Sequence, residues 1–223
     1  MARSKKPKQP SMTANPRVAK QRVTPPKRRK PKSTDPAPSI AASLLGLLAT
    51  VPVSKARKSR NPAESARLAA NLASAKAAVT AGTLALPLGP IGWLTILPEM
   101  LAVWKIQAAL VSDIAAFYGK KTVLNREQML YCLFKHTASQ AVRDLVVRVG
   151  ERVIIKPASL RALQAAAKGI GVKISQRAFA KSASRWLPIA GTVGIAAYAY
   201  YDTAQVAKTA IELFESEIVL DSV

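Results

Sequence analysis

The chain holds one cysteine and one histidine, Cys132 and His136, and their spacing of four residues sets them on the same face of a helix. A thiolate beside an imidazole is the nucleophile and base of covalent catalysis. A lone cysteine in an apolar helix, however, usually serves as a small core residue, with a nearby histidine as a satisfied polar neighbour. Gly119-Lys120-Lys121-Thr122 echoes the end of a phosphate-binding loop but lacks the upstream glycine and strand, and no Gly-x-Ser-x-Gly elbow occurs. One cysteine, one histidine and scattered carboxylates do not give the clustered spacing that metal ligands need. The sequence therefore predicts no catalytic residue, no metal and no cofactor. A single cysteine also forbids an intramolecular disulfide, which fits a reducing compartment.

Four polar residues interrupt otherwise apolar stretches: Glu99, Gln107, Asp113 and Asp202. In lipid, such carboxylates would mark an ion or proton route. In a protein core they must be hydrogen-bonded, and we read the four as a structural polar network.

The charge is one-sided, +22 over 223 residues. Residues 1–39 contain twelve Lys or Arg against Asp35 alone, together with eight of the fifteen prolines. They carry too little apolar surface to offset the entropy of ordering, so this segment is expected to be a disordered tail. Lys27, Arg28, Arg29, Lys30 and Lys32, with Lys55, Arg57, Lys58 and Arg60 further on, are the candidate binding residues for an anionic surface. Phospholipid headgroups and nucleic-acid phosphates both qualify, with binding that weakens as salt rises. The tail has no aromatic residue for base stacking, and no helix-turn-helix or zinc pattern follows. Nucleic-acid binding is thus expected to be non-specific.

The elements that must position these residues read as helices. Ile40 to Val53 is uncharged and apolar, but fourteen residues fall short of the roughly 20 that span a bilayer. It is expected to be a short interfacial helix which, with the basic linker, makes up a segment over 40–62; its flanks fit a cleaved leader poorly. A helical domain over 63–223 follows. Leu68, Leu72, Ala75 and Val79 recur at three- and four-residue spacing, the apolar stripe of an amphipathic helix, with Arg67 and Lys76 off it. No charge occurs between Lys76 and Glu99, yet Pro87, Gly89, Pro90 and Gly92 favour a turn there. Two helices meeting at an apolar corner are expected, inside a core or as a re-entrant hairpin in the bilayer.

The second of that pair should run from about Pro98 to Tyr118, with Gly119 as its stop, and Leu97, Leu101, Trp104, Ala108, Val111, Ala115 and Tyr118 as its apolar stripe. Asn125 followed by Gln128 has the form of a capping box opening a helix over Arg126–Val149, ended by Gly150. Arg152 to Lys156 is strand-like without an obvious partner. A short helix between Pro157 and Gly169, another over Ser175–Trp186, and a long one from Ile189 to about Ile218 complete the chain.

The stretch LPLGPIGWLTILPEMLAVWKIQAALVSDIAAFYGK and the later LPIAGTVGIAAYAYYDTAQVAKTA resemble the bacterial EcsC family, and are similar to the apolar helical domain appended to some bacterial GTPases. The resemblance spans roughly Ala63 to Glu217. It rests on Pro98-Glu99, Gln107, the run from Asp113 to Gly119, and Tyr201-Asp202-Thr203. It implies a helical, membrane-associated bacterial protein, linked in some members to transporter operons or secretion.

The expectation is an all-α, compact helical bundle with apolar Pro/Gly corners, preceded by the disordered basic tail. Its expected role is non-enzymatic, at the inner, cytoplasmic face of the membrane, peripheral or re-entrant. The alternative is a soluble scaffold, or a nucleoid- or RNA-associated protein held by its basic tail. Protein partners and oligomeric state are left open.

Overall fold

The structure, a computed structural model, describes residues 37–84, 93–149, 152–182 and 188–216. The expected all-α bundle is what it contains: six helices that make up about 80% of those residues. They are α1 (Ala37–Ala49), α2 (Pro62–Leu84), α3 (Trp93–Phe117), α4 (Arg126–Val142), α5 (Leu160–Ser182) and α6 (Pro188–Glu215). Between α4 and α5 a 3₁₀ turn (Arg143–Leu145) leads into a small antiparallel hairpin of β1 (Val146–Val149) and β2 (Arg152–Ile155), in the register Val146 opposite Ile155. The basic residues Lys27, Arg28, Arg29, Lys30 and Lys32 and the Pro87-to-Gly92 corner lie outside the described residues.

The α3 helix is the apolar spine. Of the expected stripe, Trp104, Ala108, Val111 and Ala115 are buried and Leu97, Leu101 and Tyr118 half-buried; Val103, Leu110 and Ile114 are buried beside it. It begins at Trp93, before Pro98, which lies inside the helix at the cost of one amide donor. It ends at Gly119, whose φ of +73° is the left-handed stop expected of glycine. Trp104 meets Phe134 of α4 edge-on, with ring centroids 5.5 Å apart. The Asn125 capping box also forms: Asn125 accepts from the Gln128 amide at 2.8 Å, and the Gln128 side chain accepts from the Asn125 amide at 3.0 Å.

Four expectations are corrected. First, α1 is no separate interfacial segment: Ile40, Leu44 and Leu48 are buried in the same core as α3, α4 and α6, and the helix packs mainly on α5. Second, α4 leaves helical geometry at Ala138 (φ −139°, ψ 48°) and stops at Val142, so Val146–Val149 is a strand and supplies the partner that Arg152–Ile155 lacked. Third, Gly169 ends no helix, because α5 runs through it and through Gly171. These glycines permit close approach instead, since a Cβ at Gly171 would stand 2.7 Å from the Ala37 carbonyl oxygen. The linker after α1 is tied to the bundle, through Ser59 N–H donating to the Phe117 carbonyl at 3.0 Å and Ser54 Oγ donating to Asp113.

The fourth correction concerns α2, which packs on α6 and α3 through small residues: Ala66, Ser74, Ala77 and Ala81 are buried. Small side chains let the backbones approach, and the helix is thereby turned so that its larger residues point away. Leu68, Leu72 and Val79 are 60%, 74% and 66% exposed. The stripe that marks the helix in the sequence is its outer face.

Candidate functional site

Of the four polar residues singled out in the sequence, the bundle joins two. Gln107, fully buried on α3, donates from Nε2 to Asp202 Oδ2 at 2.8 Å and to Thr203 Oγ1 at 3.2 Å, both on α6. Asp202 Oδ1 in turn receives His136 Nε2 from α4 at 2.8 Å, and Thr137 Oγ1 lies 2.8 Å from the same ring nitrogen. Three helices are thus pinned at one point by one amide, one carboxylate and one imidazole. Asp113 belongs elsewhere, bound by Ser54 of the linker. Glu99 is buried on α3, about 12 Å before Gln107 by helical rise.

The Cys132 and His136 pair does not form a dyad, because the histidine is turned to Asp202. Cys132 is fully buried, and burial pushes its thiol well above the ordinary range, so it is no thiolate at neutral pH. Among the described residues no cluster of three or more His, Cys, Asp or Glu could hold a metal.

Beside this polar cluster an open cavity of about 720 Å³ lies between α4 and α6, lined also by His136 and by Val146 of β1. Lys135 crosses it to Glu212 Oε2 at 3.0 Å and sits 5.5 Å from the Tyr131 ring centroid. Burial alone would lower the Lys135 pKa, but the Glu212 carboxylate and Tyr131 outweigh it, and the net direction is upward. Arg143 and Lys208 also line the cavity. Nothing in the linear pattern of residues signals this site, since its walls come from positions some seventy apart that meet only on folding.

The second feature is on the surface. Lys55, Arg57, Lys58 and Arg60 are all exposed, on a linker held to the end of α3 by the Ser54 and Ser59 hydrogen bonds. The Lys58 alkyl chain lies over Gly119, where a Cβ would meet it at 3.0 Å. This cationic segment leads directly into α2, so Leu68 begins the exposed apolar ridge about two turns beyond Arg60. From Leu68 to Val79 the ridge extends about 16 Å, with Arg67 on one flank and Lys76 on the other.

Among the described residues one segment, Leu97–Phe117, is long and apolar enough to cross a membrane, and 56% of it is buried inside the bundle. Its apolar surface is largely taken up by core packing. No family model, no curated protein and no solved structure matches this chain.

Proposed function

We propose that this is a non-enzymatic, membrane-associated helical protein that docks on an anionic lipid surface, at the cytoplasmic face of the membrane. The observation that carries this is the α2 ridge, Leu68, Leu72 and Val79, left exposed on the helix into which the exposed cationic linker leads. Contiguous apolar side chains bordered by Lys and Arg suit the boundary between headgroups and acyl chains, where each basic residue near the surface adds about 1 kcal/mol. The resemblance of the α3 and α6 segments to the EcsC family points the same way and is part of the proposal. Peripheral attachment is the form proposed, since just over half of the one described segment able to cross a membrane is already buried in the bundle.

Flotation with liposomes tests this. The full chain should float with vesicles containing phosphatidylglycerol at low salt and partly remain bound at high salt. Leu68→Gln with Leu72→Gln should abolish the salt-resistant fraction, and substituting Gln for Lys55, Arg57, Lys58 and Arg60 should abolish the salt-sensitive one. The exposed cations favour a second reading, non-specific attachment to nucleic acid. Binding to duplex DNA or RNA that ignores the leucine substitutions, with no flotation, would replace the membrane reading with that one.

A further inference from the structure

The cavity between α4 and α6 has the form of a ligand site. Its shape follows from the Ala138 kink: Tyr131, Lys135 and His136 come before the break in α4 and Arg143 after it, so the two parts make two walls facing α6. At about 720 Å³ it is within the usual range for small-molecule pockets.

Its charge is unbalanced. Lys135 is paired with Glu212 inside the cavity. Arg143 has only Asp144, 3.9 Å away with both side chains more than three-quarters exposed, a contact worth little in water. Lys208 forms no ion pair among the described residues. Arg143 and Lys208 thus line the same space as Lys135, with Glu212, already engaged by Lys135, as the one carboxylate in the lining, while Val142 and Val146 add apolar surface. Three Lys or Arg side chains to one carboxylate leave the lining net positive, which favours a bound anion.

We propose that this cavity binds a phosphate ester bearing a short apolar group, its phosphate held between Arg143 and Lys208 and its hydrocarbon against Tyr131, Val142 and Val146. Guanidinium and ammonium groups on opposing walls suit a phosphoryl group, and the apolar wall distinguishes an ester from inorganic phosphate. The ester is either free in solution or the headgroup of a lipid. The inference does not depend on the α2 ridge.

Calorimetric titration of the full chain with hexyl phosphate, inorganic phosphate and hexanol tests it. Hexyl phosphate should bind more tightly than either of the others. Arg143→Gln and Lys208→Gln, both at exposed positions, should each weaken it about tenfold. Ser139→Trp, at the exposed rim, should block it. Lys168→Gln on α5, outside the cavity, should change affinity by less than about twofold. Displacement of hexyl phosphate by phosphatidic acid vesicles would identify the headgroup as the source, and failure to displace it a soluble ester. No binding by the unmodified chain, an equal loss in Lys168→Gln, or unchanged binding in Ser139→Trp would overturn the proposal.

Discussion

At the residue scale, burial determines how titratable groups respond to pH. The Cys132 thiol is raised by burial; the Tyr118 hydroxyl is raised by burial and by Glu215, with Arg67 opposing; and Lys135 is raised on balance. A group whose folded pKa is raised contributes stability that is complete below its unfolded pKa and is lost as pH rises toward the folded value. All three act with the same sign, so the urea midpoint should hold near neutrality and fall above about pH 8.5, where an unfolded thiol ionises. Cys132→Ala should cost about 1–2 kcal/mol at pH 7 through the small void it leaves. That deficit should narrow at pH 10, because only the wild-type thiol must then be reprotonated to fold; a deficit independent of pH would contradict the assignment. Gln107 has a different importance. Gln107→Leu keeps the volume but leaves the Asp202 carboxylate short of a donor, and should lower stability by about 1–3 kcal/mol in equilibrium unfolding.

At the scale of elements, the glycines separate close packing from helix termination. Gly171→Ala would drive a Cβ against the Ala37 carbonyl and should destabilise the protein by about 1–3 kcal/mol, by forcing α1 away from α5. Gly46 is exposed in α1, with nothing within 4 Å of where an alanine methyl would lie, and should accept alanine with a gain of about 0.5–1 kcal/mol. Thermal unfolding of the two variants should therefore shift in opposite directions. The same contrast explains what the sequence reveals. The Asn125 cap, the Gly119 stop and the α3 stripe are legible because each is set by residues within a few positions of one another. The inward face of α2 is not, because alanines packed against a helix leave no hydrophobic signature while outward leucines at helical spacing do. Val146–Val149 continues the apolar pattern of α4, and what separates them is backbone geometry, the kink at Ala138 and the 3₁₀ turn Arg143–Leu145. Gln107 and Asp202 are noticeable in sequence as polar residues in apolar surroundings, but their union with His136 joins residues 66 apart and is fixed by packing alone.

At the scale of the whole molecule, α1 (Ala37–Ala49) is part of the core through Ile40, Leu44 and Leu48. A chain starting at Asp35 should retain the full unfolding midpoint, whereas one starting at Lys55 lacks Ile40, Leu44 and Leu48 and should lose cooperative unfolding. The surface of this bundle carries a cationic linker and the ridge it leads into, and the proposed function requires that ridge to meet lipid. The most direct measurement places an environment-sensitive fluorophore on Leu72→Cys, with Lys168→Cys as control, in a Cys132→Ala background. On adding anionic vesicles, the probe at 72 should shift to the blue and become shielded from aqueous quencher while the probe at 168 stays unchanged. Equal exposure of both probes on vesicles to which the protein is bound would show that α2 is not the docking face and would contradict the account.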